Sequence, residues 1–271
     1  MNKLLIVFLC FFLTSCSSDK ISNSQNASYI VKTLGVKKIL NNNNMKIIGL
    51  LGGTGWSSTI DYYKLINKMV QKKLGGYHSA EIILISIDYD DIMSNYGIDH
   101  QKTALILKDK LQGLSKLNPD CIIICCNSLH KYYDIVKNDL EIQVPVFHAI
   151  ELTAKKLKSE NYHNVLLLAT KFTMEDGFFA QILDQNFIKV TVPNNQERNI
   201  IHQIHMELMQ NNVTEKAKKY FNDLILKYKH LDAVILGCTE LPLAITHENS
   251  VLPIIDPVVL QCESAVNYSL D

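Results

Sequence analysis

Arginine is almost missing from this 271-residue chain: Arg198 stands alone among 27 basic residues, and the rest are lysines. The planar fork that reads carboxylates and phosphates two bonds at a time is therefore nearly absent. The 27 basic residues balance 27 acidic ones, which argues against nucleic acid or another polyanion as partner. Seven cysteines occur with no CxxC pair, so neither a zinc ribbon nor a disulfide scaffold is expected. GxxxxGK[ST], HExxH and GxSxG are missing as well. The turn at Gly52, Gly53 and Gly55 approaches a dinucleotide fingerprint, but Ser58 stands where its last glycine belongs. Lys72 and Lys73 follow where an acidic ribose reader is required, which argues against NAD. His202 and His205 lie one helical turn apart without a third ligand, so a solvated helix face is expected and no metal site.

The one strongly apolar run near the N-terminus, Leu4 to Leu13 after Lys3, is too short to span a bilayer. It fits the hydrophobic part of a secretion signal, and Leu13-Thr14-Ser15-Cys16 resembles the bacterial lipobox. Residues 1–16 then form a lipoprotein-type signal segment with Cys16 acylated, and Ser17 suits the outer membrane. Residues 17–44, rich in Ser, Asn and Lys, form a flexible linker, and the protein is lipid-anchored on the periplasmic side of the envelope. The alternative starts translation at Met45 and leaves the enzyme in the cytoplasm, a reducing compartment that suits working thiolates.

From Met45 on, apolar strand-like runs alternate with amphipathic stretches. Strands are expected at 46–51, 81–88, 120–125, 145–148, 164–169, 187–192, 232–237 and 252–255. Helices are expected at 58–74, 100–116, 129–139, 150–159, 174–185, 197–211 and 214–228. That alternation predicts parallel βαβ units with sites at the carboxyl ends of the strands. In Asp120–His130 a run of three isoleucines ends on Cys125 and Cys126, then turns polar at Asn127 and Ser128. In Asp232–Pro242, Val234, Ile235 and Leu236 run into Gly237, Cys238, Thr239 and Glu240. A thiol at such a turn is expected beside the N-terminus of a helix, where its pKa is lowered. Successive residues of a strand face opposite ways, and Cys126 is the better candidate for a pocket. Cys121 and Cys262 read as small buried hydrophobes.

The chain also echoes itself. The stretch from Gly52 overlays that from Leu168, pairing Thr54 with Thr170 and Trp56 with Phe172. Residues 45–149 plus 256–271 are read as the first α/β domain and 150–255 as the second. Lys171, at a strand-end turn with Thr170 and Thr173, suits the gripping of a carboxylate at least as well as a Schiff base to pyridoxal phosphate.

The stretches IIGLLGGTGWSSTIDYYKLIN, ICCNSLHK, LLLATKFTMEDGFF, VPNNQERNIIHQIHMEL, VILGCTELPL and SVLPIIDP together resemble the aspartate/glutamate racemase superfamily, most of all its aspartate and broad-specificity amino-acid racemase branch. The resemblance runs from about Met45 to the C-terminus. It implies two pseudo-symmetric α/β domains, each a parallel sheet flanked by helices, with the active site at their interface. It further implies a homodimer that racemises a small amino acid without pyridoxal phosphate, metal or other cofactor. By similarity Cys126 and Cys238 are the catalytic acid/base thiols. Asn127, Ser128 and Thr239 hold the α-carboxylate, Thr54 and Gly55 line the pocket, Lys171 stands near the substrate and Glu240 neighbours the second thiol. Acidic-substrate members carry an arginine after the second strand, whereas this chain offers Asp88, Asp90, Asp91 and Tyr96. A neutral or broad substrate range stays open beside aspartate. Two other readings remain: a single-thiol decarboxylase or cis–trans isomerase of a dicarboxylate, and a non-catalytic binding lipoprotein of the same fold.

Overall fold

The computed structural model describes residues 45–271; the expected lipidation site at Cys16 and the linker that follows it lie outside the described residues. Two parallel sheets organise the chain. Strands β1 (Ile48–Gly52), β2 (Ile82–Ser86) and β3 (Cys121–Ile124) form the first, in the order β2-β1-β3. Strands β4 (Asn164–Leu168), β5 (Lys189–Thr191), β6 (Ala233–Leu236) and β7 (Ile254–Ile255) form the second, in the order β5-β4-β6-β7. Every pairing is parallel. The helices are α1 (Trp56–Leu74), α2 (Tyr89–Met93), α3 (His100–Ser115), α4 (His130–Val136), α5 (Ala149–Ser159), α6 (Lys171–Asp176), α7 (Phe178–Asp184), α8 (Asn195–Leu208), α9 (Glu215–Lys227) and α10 (Pro257–Leu270).

Strands β1, β3 and β6 consist of apolar residues and glycine because both faces are covered. β1, β3 and β6 are buried at every residue, while β2 and β5, at the sheet edges, are not. The two sheets repeat one plan. Cys125 N donates to Leu51 O at 2.9 Å, and Gly237 N to Leu168 O at 2.7 Å. Asp120 accepts from Ile47 N at 2.7 Å, and Asp232 from Asn164 N at 2.7 Å, so one aspartate pins the start of each central strand. Ile122 N reaches Pro145 O, and Val234 N reaches Pro253 O, both at 2.9 Å. The helix after each proline packs against the other sheet's layer: α5 meets α7, α10 meets α1 and β3, and the two meet each other. The halves thus exchange a helix, and each covers part of the other.

Several expected elements differ. The strand expected at 145–148 reduces to one bridge, Ile122 with Val146. The helix expected over 174–185 is two, because Gly177 (φ 84°) takes a left-handed conformation that ends α6. Asp88 caps the unforeseen helix α2 by accepting from Asp90 N. After Cys238 no α-helix starts; a short 3₁₀ turn, Leu241–Leu243, follows instead. At the turn after β1, Gly53 (φ 96°) runs against strand-end backbone, where an added Cβ would lie 2.1 Å from Ile87 O. Among the described residues no helix is long and apolar enough to cross a membrane.

Asp256 caps α10 by accepting from Val258 N at 2.9 Å. Burial raises its carboxyl from 3.8 to about 6, against the pull of hydrogen bonds from Val258 and Val259. A carboxyl whose folded pKa is raised holds its proton longer in the native state, so stability falls as pH rises from about 4 through 6. Asp256→Asn keeps the cap and removes the titration. Its urea midpoint is expected to gain on the wild type as pH rises from 4 to 7; a constant difference across that range would contradict the assignment.

Candidate active site

The carboxyl ends of β1, β3, β4 and β6 deliver their loops to one cavity of about 80 Å³, as parallel sheets do. Thr54 and Gly55 come from the β1 turn, Cys125 to Ser128 follow β3, Thr170 and Thr173 follow β4, and Gly237 to Glu240 follow β6. Tyr89, His205 and Met209 close it. Of the residues singled out from the sequence, the fold brings together Cys126, Cys238, Thr54, Gly55, Asn127, Ser128, Thr239 and Glu240. Tyr96 and Lys171 do not line the cavity. Tyr96 packs its ring on that of Phe172, with the centroids 4.6 Å apart. Lys171 turns to Asn199 Oδ1 at 2.8 Å. The lone arginine is engaged elsewhere, by Glu175 and Pro193 O.

The two thiols have unlike surroundings. Cys126 is partly buried, and its sulfur lies 3.4 Å from Ser128 Oγ. Cys238 is buried and donates to Glu240 Oε2 at 2.8 Å, with His205 Nε2 3.2 Å from its sulfur. Glu240 also accepts from Thr239 Oγ1 at 2.9 Å and, through Oε1, from Ser58 Oγ at 3.1 Å. Burial would raise the Glu240 carboxyl, but hydrogen bonds from His205, Cys238 and Thr239 outweigh it and hold the pKa at about 2. Glu240 is therefore an anion inside the site.

That anion reverses one expectation. The Cys238 thiol is pushed up, first by burial and then by the charge of Glu240, which also accepts its proton. The expected lowering needed a helix N-terminus, and none follows Cys238. His205 is a second correction. It is 8% exposed, whereas His202 is exposed as expected. The signal was there: His205 is four residues after Ile201 and three before Leu208, the spacing of one helix face, and all three are buried. Ser58, buried on the first turn of α1, carried no comparable signal; only the fold brings it to Glu240, 182 residues away.

Cys121, Cys125 and Cys262 are buried and free; burial raises all three thiols, that of Cys121 to about 12. Thr54 and Asn127 are the remaining feature of the lining. Both are buried, and Thr54 Oγ1 and both amide atoms of Asn127 have no hydrogen-bond partner among the described residues. Unpaired buried polar atoms are costly and rare, and at a cavity wall they are what a polar ligand would satisfy.

The sequence profile described as Asp/Glu/Hydantoin racemase matches residues 51–265. The chain is 25% identical over 234 residues to the Broad specificity amino-acid racemase RacX of Bacillus subtilis (strain 168), covering 83% of this chain and 98% of that protein. The fold superposes on that of an aspartate racemase homologue from Pyrococcus horikoshii OT3 with TM-score 0.75 and 30% identity, covering 84% of this chain and 100% of the other. The aspartate racemase of Picrophilus torridus shares the fold at TM-score 0.68 and 23% identity, over 83% and 94% of the two chains.

If the Glu240 charge suppresses the Cys238 thiolate, Glu240→Gln should raise the rate at which iodoacetamide alkylates Cys238 near pH 8 by several-fold, read by peptide mass spectrometry. Burial, the larger cause, persists in the variant, so the thiol stays less reactive than a free cysteine. An unchanged or slower rate would contradict the electrostatic account.

Proposed function

The chain belongs to the Asp/Glu/Hydantoin racemase family, and from that premise we propose that it interconverts the enantiomers of small amino acids, with Cys126 and Cys238 as opposed acid and base. The observation that carries this reading is the single cavity lined by both thiols, together with the unpartnered Asn127 amide and Thr54 hydroxyl. Asn127, Ser128 and Thr239 hold the α-carboxylate. One sulfur removes the α-hydrogen as the other returns a hydrogen to the opposite face, and the roles exchange for the mirror-image substrate. The developing carbanion draws its stabilisation from hydrogen-bond donors fixed in the closed site.

The unlike surroundings assign a starting state. Cys238 donates to an ionised Glu240, so it rests as the thiol and serves as the proton donor. Cys126 begins as the base. For the reverse direction the Cys238 proton must leave, and Glu240 Oε2, 2.8 Å from the sulfur and already accepting its hydrogen bond, is placed to take it.

Substrate preference follows from charge. Among the described residues no lysine or arginine lines the cavity, while Glu240 does. A side-chain carboxylate would find no cation and a fixed anion, so the substrates are amino acids with neutral side chains over a broad range, and aspartate is disfavoured. The lipid anchor on Cys16 and the homodimer belong to the same proposal; acylated Cys16 peptides in membrane fractions and the mass in solution test them.

Chiral chromatography after incubation with each L-amino acid should show D-enantiomer for neutral substrates, with deuterium from the solvent entering at Cα. Cys126→Ala and Cys238→Ala are each expected to lower racemisation by at least about 10³-fold, since neither acid nor base can be spared. One-sided deuterium exchange is expected to survive in one of them. Racemisation at the wild-type rate in either variant would overturn the two-thiol scheme, and carbon dioxide release or isomerisation of a dicarboxylate would replace it with a single-thiol reaction.

A further inference from the structure

Cys238, His205 and Glu240 bring three different ligating atoms together. Sγ lies 3.2 Å from His205 Nε2 and 2.8 Å from Glu240 Oε2, and the last two are 3.4 Å apart. All three side chains are buried. A tetrahedral Zn²⁺, bonded at about 2.3 Å to sulfur and about 2.0–2.2 Å to nitrogen and oxygen, spaces its donor atoms roughly 3.4–3.6 Å apart. One edge already has that length, and the other two need to open by less than about 1 Å. Three side chains and one remaining position is also the ligand count of zinc sites that stay open to a solute. All three side chains line the cavity shared with Cys126.

The support around the cluster fits as well. Ser58 holds Glu240 by Oε1, which leaves Oε2 turned to the sulfur and the imidazole. Metal ligands are ordinarily oriented by such an outer hydrogen bond. Ser58 also meets Thr239 Oγ1 at 2.6 Å, so the carboxylate is tied from both halves of the molecule. The other grouping of potential ligands among the described residues, Asp134, His148 and Glu151, has no sulfur, and its Glu151 is exposed.

We propose that His205, Cys238 and Glu240 form a binding site for a divalent transition-metal ion of the Zn²⁺ type, and that loading it silences Cys238. On binding, the thiol S–H and the His205 Nε2–H bonds break. The thiol proton passes to solvent, the imidazole takes a proton from solvent at Nδ1 in exchange for the one lost at Nε2, and sulfur–metal and nitrogen–metal bonds form with no change of oxidation state. The metal is an inhibitor and not a participant, because a ligated sulfur can neither accept nor return a substrate hydrogen. The binding site stands without the racemase reading; only the loss of activity rests on it.

The test is titration of the metal-free full chain with Co²⁺, followed by the thiolate-to-cobalt absorption band and by Zn²⁺ displacement of it. One equivalent is expected, with the band lost in Cys238→Ser and kept in Cys126→Ser. His205→Gln, nearly the same size, should weaken binding at least about tenfold, with an unchanged circular dichroism spectrum establishing that the fold survives. The site is overturned if no band forms or if His205→Gln binds as tightly as the wild type. It is overturned too if Cys126→Ser abolishes the band, or if Co²⁺ uptake survives in both the His205 and Cys238 variants. Racemisation, where present, should fall as Zn²⁺ occupies the site and recover with EDTA, with His205→Gln correspondingly less sensitive. A protein that binds Co²⁺ as described but turns over no amino acid would keep the site and discard the racemase reading.

Discussion

One buried carboxylate decides how the rest of the site behaves. Glu240 is removed from water yet stays ionised, because Cys238, Thr239, His205 and Ser58 surround it with donors. A buried charge survives only when it is satisfied in this way. Its donors come from the first turn of α1, the β6 turn and helix α8, so the same charge that adds to the effect of burial on the thiol ties the two halves together. Removing any one donor leaves the anion less well compensated, and the effect reaches the sulfur directly.

Around that point the molecule is repeated but not symmetric. The Asp120 and Asp232 clamps, the Pro145 and Pro253 crossings and the exchanged helices α5 and α10 give the two halves one backbone plan. The side chains then break the symmetry where the chemistry lies. Cys126 is followed by Asn and Ser, Cys238 by Thr and Glu. Two thiols on equivalent turns thereby acquire different neighbours: a serine hydroxyl beside Cys126, a carboxylate and an imidazole beside Cys238.

A second tie lies away from the cavity. Lys131 on α4 meets Asp176 on α6 at 2.6 Å, with both side chains mostly buried, and its ammonium also lies 5.6 Å from the Phe172 ring. Tyr96 closes on the same ring. Tyr96, singled out from the sequence as a substrate contact, thus packs its ring against Tyr132 and Phe172 and not into the cavity.

Much of this was legible in the chain itself. Short β-branched and leucine runs such as Cys121–Ile124 and Ala233–Leu236, bounded by polar turns, mark strands buried on both faces. Both thiols follow such runs, so their arrival at strand ends was a matter of local pattern, as was the repeat. Distance and dielectric were not. That Glu240 meets Ser58 and His205, and that Cys238 is buried deeply enough for its thiol to be raised and not lowered, depend on side chains far apart in sequence. Local pattern determines which groups stand at the ends of strands; only the packed fold decides which of them share a cavity, and with it the charge each one carries.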